Sequence, residues 1–552
     1  MKSSLISLIL TLNMPYINCN FNITPTPVYI ALKQKDTSVF YNKLQDISNP
    51  LSKNYGNWLS LQEVNNMIAS NYNKNANKIV SAWLIENNFK YIDNYGDSIK
   101  FTAPEYAIIK LFNITNNRYQ IPFELLDHID FLELSPNRYI TRTKHNYKTS
   151  DSTVDDRYFG RESMIHLYNL PNSSLNQVVS VGSIEYQSNN GFTNNDLNSQ
   201  QSSNGQSINN ITLIRGVNIG IDTESELDVQ VMSQVADDSE LWYWQSPYWL
   251  YSVAVDINNA IKIPDVISMS WGWNEKDQCS ITDCGTGSSY DYITRVNYEY
   301  MKILLRGTTI VASSGDAGAP GRTAEECNIK HPVNAIFPGS SEFVLSVGAT
   351  FVEMESVNIS YVTDLCKNDS CVKGNIEHVT NYANTSWTSG GGFNNYTNST
   401  PYWQKTEVDY YVKNAPSLPN SSSFNVNGRV YPDISLVGHS CPTYLDGSPQ
   451  GVDGTSCSSP LMAGVVAVIN AHQIKNSRQK VGYFNPLLYH IFRNCDNCFN
   501  KINSGNNWCS ESMCCDNPTQ YGYQGINGYD PVTGTGSPNI KNILTFLDTL
   551  FT

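Results

Sequence analysis

Apolar and polar positions along this chain follow two different rhythms. Between about residues 21 and 150, strand-like pieces such as TPVYIALKQ alternate with helically spaced ones such as SLQEVNNMIASNYN and KIVSAWLIENNF, and SIKFTAPEYAIIKLFN joins both kinds. That mixture predicts a small α+β unit over 21–154. Further on, the apolar runs become short and nearly continuous: VNIGIDT, DVISMSWG, TTIVASSGD and FVLSVGAT, each with Gly, Ser or Asp at or near its end. Strands buried on both faces lose the in–out alternation. With amphipathic helix candidates between them, these runs predict a mainly parallel α/β sheet over 155–552, with functional residues at strand ends. The polar stretch RTKHNYKTSDSTVDDRYFGRES reads as an exposed, cleavable linker between the two units. YQSNNGFTNNDLNSQQSSNGQS reads as a surface loop.

Composition narrows the class. A formal net charge of −14 excludes the basic footprint of a nucleic-acid-binding protein. Met1 and Lys2 followed by SSLISLILTLNMPYINC predict a signal peptide over 1–20, and no later segment reaches the ~20 apolar residues of a membrane span. Asn-x-Ser/Thr sequons recur, at Asn113, Asn172, Asn395 and Asn420 among others, as in secreted glycoproteins. Of thirteen cysteines, Cys279/Cys284, Cys366/Cys371, Cys495/Cys498 and Cys509/Cys514/Cys515 are grouped closely enough to predict local disulfides. Zinc is the competing reading, but the groups lack matching histidines.

The chemistry centres on GTSCSSP running into LMAGVVAVIN, a small-residue turn that presents Ser456 at the start of a helix. A serine hydroxyl needs a base. None of the eight histidines lies in a glycine-rich, helix-opening motif, and they read as surface or structural residues. Carboxylates offer more. Glu224 and Asp228 are four apart in DTESELDVQVMSQVA and so share one helix face. Asp316 ends a β-rich run in IVASSGDAGAPG, and Gly390, Gly391 and Gly392 in TSWTSGGGFNNY permit close backbone approach.

Taken in order, Glu-x-x-x-Asp at 224/228, Ser-Gly-Asp at 314–316, Ser-Gly-Gly-Gly-Phe at 389–393, Gly-Thr-Ser at 454–456 and YDPVTGTGSPN at 529–539 resemble the sedolisin, or serine-carboxyl peptidase, family, and most closely its tripeptidyl-peptidase branch. NPLSKNYGNWLSLQEV and VSAWLIENNFK are similar to the family's propeptide.

The resemblance implies a subtilisin-like α/β fold behind an α+β propeptide that acts as inhibitor or chaperone. It also implies polypeptide substrates, release of tripeptides from free N-termini, self-activation at acidic pH, and lysosomal or secreted localisation. Ser456 becomes the nucleophile, Glu224 the base and later acid, Asp228 its partner and Asp316 an oxyanion donor. Ser270, Gly272, Ser389, Gly390, Gly391 and Gly392 become substrate-binding positions. An endopeptidase of the same family and a silent peptide-binding glycoprotein on the same scaffold are the alternatives.

The acid chemistry is self-consistent. At about pH 4.5 an ordinary histidine is roughly 99% protonated and cannot accept a proton, whereas a carboxylate titrating near that pH can.

Three positions depart from the family pattern. Asp453 stands where serine is usual, and Cys457 stands where alanine is common and reads as a small packing residue. The family also binds one calcium ion near the C-terminus. Here Asp530 survives, with Ile502, Ile526 and Gly528 as backbone-carbonyl candidates, but Lys501 replaces the other aspartate. Either calcium is still bound, with Asn500 as a substitute ligand, or the Lys501 ammonium takes the cation's place beside Asp530.

Overall fold

The computed structural model describes residues 25–115, 118–134, 153–186, 191–322, 333–355, 357–508 and 522–552. The signal-peptide expectation and the Cys509/Cys514/Cys515 group fall outside the described residues.

The first unit is a four-stranded antiparallel sheet in which Pro25–Leu32 pairs with both Ser98–Pro104 and Ile129–Glu133, and Ile92–Asn94 forms an edge. Strand alternation divides its labour. Val28, Ile30 and Leu32 pack with Val80, Leu84, Phe101, Ile108 and Phe112 into the unit's own core. Tyr29, Ala31 and Phe131 belong to the core of the second unit. Phe131, for instance, meets Tyr251 edge-on with ring centroids 4.9 Å apart.

The second unit is built on an eight-stranded sheet. Its successive strands are Glu377–Val379, Leu345–Val352, Thr309–Ser313, Val266–Met269, Ser180–Tyr186, Glu240–Ser246 and Leu213–Arg215, and Ile434–Val437 also pairs with Leu345–Val352. Every pairing is parallel except that of Glu377–Val379. The apolar runs 266–269, 309–313 and 345–352 are buried throughout, as their unbroken patterns predicted. Two helices carry candidate residues: Thr223–Val235, whose residues 225–235 are all buried, and Thr455–Lys475. No helix among the described residues is long and apolar enough to cross a membrane.

Several expectations are corrected. VNIGIDT is not a strand: the edge strand stops at Arg215, and Val217, Ile219 and Ile221 are about half exposed. Gly216 turns the chain away at φ +79°, where a Cβ would fall 1.9 Å from the carbonyl oxygen of Gln245. The Asn/Gln/Ser-rich loop contains a helix, Asn194–Ser203, because its polar side chains find partners inside the protein. Thr193 caps it, Gln201 donates to Ser233 Oγ at 2.9 Å, and the Asp196 carboxylate accepts from the Gly447 amide at 2.7 Å. The second half of the linker is not exposed. Val154, Asp155 and Phe159 are buried, and Asp155 N bonds to Val352 O.

Candidate active site

Ser456 is the second residue of the helix Thr455–Lys475 and is nearly buried. Gly454 precedes the helix at φ +145°, a backbone conformation that side chains resist. Pro460 sits in the second turn and has no N–H to return to the carbonyl of Ser456 four residues back. The Ser270 hydroxyl lies there instead, 3.3 Å from Ser456 O and 2.7 Å from Asp228 Oδ1, with one proton to give to either oxygen. A missing helical hydrogen bond thus joins the serine turn to the acidic helix.

Glu224 lies in the first turn of Thr223–Val235, half-buried, with Asp228 one turn on and fully buried. Behind Asp228 is a third carboxylate. Ser183 Oγ lies 3.2 Å from Asp228 Oδ2 and 2.6 Å from Glu185 Oε1, and Trp271 Nε1 donates to Glu185 Oε2 at 2.8 Å. Sequence reasoning missed this extension. Its signal was an acidic residue in an apolar strand, on the same face as a serine two positions earlier. Glu226, also not singled out, is buried, and burial pushes its carboxyl up to about 7. It accepts from Gln230 at 2.8 Å and from the Thr193 amide at 2.6 Å, so it fastens the helix to its neighbours.

Asp316 follows the strand Thr309–Ser313 and meets the serine turn directly. Its Oδ1 accepts from Thr455 N at 2.8 Å and Thr455 Oγ1 at 2.7 Å, and Thr455 Oγ1 accepts from Gly315 N at 3.1 Å. The Arg322 guanidinium is 3.9 Å from Oδ2. Ser270, Gly272, Asp316, Arg322, Thr455 and Ser456 line one small cavity.

The glycine run behaves otherwise than expected. Gly390 N bonds to Gly315 O at 2.7 Å, and a Cβ there would lie 2.4 Å from Ser314 O. Gly391 packs as closely on Pro531 O, and Gly392 pairs with Tyr431. Ser389 is fully buried and accepts from the Ala349 amide. The close approach these residues permit is therefore to the chain's own backbone beside Asp316.

Cys457 is corrected from a packing residue to half of a disulfide with Cys441, two positions whose sequence distance hid the pairing. Cys279–Cys284, Cys366–Cys371 and Cys495–Cys498 are bonded as their spacing predicted.

At the C-terminal motif, Asp530 is fully buried and surrounded by donors. Val532 N, Thr533 N and Thr533 Oγ1 approach Oδ1 at 2.8–3.2 Å, and Ile526 N approaches Oδ2 at 3.0 Å. Ile526 thus turns its N–H toward the carboxylate. Asn500 donates its amide to Ser537 Oγ at 3.2 Å. Lys501 is exposed and, among the described residues, forms no ion pair with Asp530. No group of three His, Cys, Asp or Glu side chains suited to a metal ion occurs among the described residues. Calcium takes 6–8 oxygen ligands. One carboxylate in a nest of amides, with a lysine in the second acidic position, does not fit that requirement, and Lys501 does not replace the ion either.

The comparisons with known proteins agree with this architecture. Residues 22–155 match the pro-kumamolisin activation domain and residues 219–482 the subtilase family. The chain is 33% identical to Physarolisin of Physarum polycephalum, across 95% of this chain and 94% of that protein. It is 27% identical to Tripeptidyl-peptidase 1 of Dictyostelium discoideum, across 94% and 88%. Among solved structures, Pseudomonas sedolisin, a serine-carboxyl proteinase, superposes with a TM-score of 0.53 at 22% identity, covering 72% of this chain and 99% of its own. A serine turn joined to a carboxylate beyond one parallel strand and to another on the acidic helix, an activation domain ahead of it and a full-length relative at this identity lead to one assignment: the chain belongs to the sedolisin family of serine-carboxyl peptidases and carries its activation domain as a zymogen.

Proposed function

We propose that this zymogen matures into an acid peptidase in which Ser456 attacks the substrate carbonyl while Glu224 accepts the hydroxyl proton. Glu224 later returns that proton to the leaving amine. Asp228 shares charge with Glu224, so that of two neighbouring carboxyls one remains ionised at acidic pH. Asp316, protonated, donates to the developing oxyanion, which rules out efficient action at neutral pH. The observation that carries this reading is the convergence on one turn: Thr455 holds Asp316, and Ser270 ties Asp228 to the carbonyl of Ser456.

The domain reading is a propeptide over 21–154 and a peptidase from 155, inhibited by its own propeptide until acidification in a lysosomal or secreted setting. The activation-domain match ending at 155 supports that boundary.

For substrate, we favour release of tripeptides from free N-termini, supported by likeness to Tripeptidyl-peptidase 1 over most of both chains. Internal cleavage is the second reading, because the chain is more identical to Physarolisin, whose name carries no tripeptidyl-peptidase activity.

Two measurements test these statements. The pH–rate profile of the processed enzyme is expected to peak at acidic pH, and Glu224→Gln to lose most of its kcat; a Glu224→Gln enzyme with wild-type kcat would remove Glu224 from the mechanism. A tripeptide-amide substrate with a free amine should turn over much faster than its N-blocked form. Equal rates would establish the endopeptidase.

A further inference from the structure

We propose that His439 is a positioning residue that clamps the nucleophile turn to the first segment of the peptidase unit by bridging Asp453 and Asp156. The idea rests on Ser456 being the nucleophile, and it uses residues that the reaction itself does not touch.

His439 follows the strand Ile434–Val437 and is nearly buried, 5% exposed. Its Nδ1 is 3.0 Å from Asp453 Oδ2 and its Nε2 3.1 Å from Asp156 Oδ1. Both ring nitrogens face carboxylates, which only accept, so the ring must donate twice. Only the imidazolium can do that. The neighbours agree: burial alone would lower the imidazole pKa, but Asp453 and Asp156 raise it to about 9. Among the described residues these two carboxylates are the charged groups bonded to the ring, one from the segment before the Ser456 helix and one from the segment ahead of the helix Arg161–Tyr168.

Backbone bonds extend the clamp on both sides. Asp453 Oδ1 accepts from Ser440 N at 2.8 Å, and Gly454 N donates to Gly438 O at 2.9 Å. On the other flank, Ser440 Oγ donates to Asp156 O at 3.0 Å and Phe159 N to Ser440 O at 3.0 Å.

The second, independent tether is the disulfide. Cys441 holds Cys457, the residue just after Ser456, while His439 holds Asp453, three residues before it. Ser456 is therefore bracketed by two anchors from one short segment, 439–441. The bracket has work to do. Gly454 adopts φ +145° and makes no side-chain cap, so local propensity does not hold the turn that aims the hydroxyl. A misplacement of about 1 Å at a reacting group can cost roughly 10²-fold in rate. An imidazolium clamp also suits an acid enzyme, because its cation persists throughout the acidic range.

The test uses mature enzyme obtained by acid processing of the full chain, with four variants: His439→Gln, Asp453→Asn, the two combined, and Ser456→Ala as reference. His439→Gln is expected to lower kcat by about 10–100-fold with KM changed less than about twofold, and Asp453→Asn to add little to it, since both remove one contact. Unchanged kcat in His439→Gln, while Ser456→Ala is inactive, overturns the clamp. Activity in Ser456→Ala overturns the underlying nucleophile assignment instead.

A stability readout accompanies the kinetics. A histidine raised to about 9 in the folded protein contributes stability that is complete below its ordinary value near 6.5 and lost as pH rises through 9. The wild type should lose melting temperature across that window and His439→Gln should not. Should His439→Gln fail to fold, Asp156→Asn, at a carboxylate 58% exposed, gives the kinetic answer: a fall in kcat at constant KM supports the clamp and an unchanged kcat overturns it.

Discussion

Asp316 divides its two oxygens between two tasks. Oδ1 is committed to the Thr455 amide and hydroxyl, so in the proposed mechanism donation to an oxyanion would fall to Oδ2, which has the Arg322 guanidinium 3.9 Å away and lies on the side of Gly454, where a Cβ would be 3.5 Å off. Asp316→Ala should therefore reduce kcat by about 10²–10³-fold. Asp316→Asn keeps an acceptor for Thr455 and supplies an N–H that does not titrate. It should retain more activity than the alanine variant and extend activity toward neutral pH. Equal impairment of both variants, with unshifted pH–rate profiles, would count against a proton on Asp316. At this scale the candidates were legible: Ser456, Glu224, Asp228 and Asp316 stand out because a serine proposed as nucleophile without an available histidine calls for carboxylates, and the structure brings Asp316 and Asp228 to the Ser456 turn. Glu185 was not, because a lone acid in a strand has no meaning until Ser183 and Trp271 are seen to hold it. Pro460 was visible, but its consequence, a carbonyl left for Ser270, exists only where two elements meet.

Among the elements, the acidic helix and the Ser456 helix pack directly, Gly464 against Val235, and are also linked through a hairpin, Cys441–Leu445 paired with Ser448–Val452. Gln230, held by Glu226, donates to Tyr444 O at 2.9 Å and accepts from Tyr444 N at 2.7 Å. Cys441 is bonded to Cys457. This disulfide closes a loop of sequence separation 16, for which chain entropy gives about 3 kcal/mol of stabilisation. Replacing both cysteines by serine should lower the urea-unfolding free energy of the mature enzyme by about that amount. A loss below about 0.5 kcal/mol would mean the hydrogen-bonded hairpin suffices alone. Periodicity located the buried strands correctly because burial on both faces writes an unbroken apolar run. It misread VNIGIDT because the same residue types can line an exposed turn, and it missed the helix Asn194–Ser203 because that helix is stabilised by polar tertiary bonds rather than an apolar face.

For the whole molecule, the decisive surface is that between the activation domain and the peptidase. Asp97 is buried against Lys302 at 2.8 Å, and Lys302 also pairs with Glu299 at 2.7 Å. Burial alone would raise Asp97, but Lys302 and Arg295 overrule it and hold the carboxyl below its ordinary range. Such a group stabilises the assembly above its ordinary pKa and ceases to as pH falls through the lowered value. Glu133 has the opposite sign. It accepts from the amides of Trp249 and Ser252 and from Tyr292 Oη, yet burial pushes its carboxyl up, so acidification strengthens its contribution. In the proposed acid activation, Asp97 and not Glu133 is then the group whose hold weakens as pH falls. In gel assays of full-chain processing, Asp97→Asn should mature at a higher pH than the wild type and Glu133→Gln should not. The reverse order would contradict the linkage.

The sequence by itself determined that the larger unit is built on buried parallel strands, and it singled out carboxylates rather than an imidazole as the groups proposed to serve the serine. Each of these is written in local residue type and spacing. Only the tertiary structure decided that Cys457 pairs with Cys441, that the glycine run packs on the chain's own backbone, that Asp530 lies among amide donors, and that His439 lies between two carboxylates. Those features depend on which distant segments meet, and burial gives them their energy by removing the water that would otherwise satisfy each group alone.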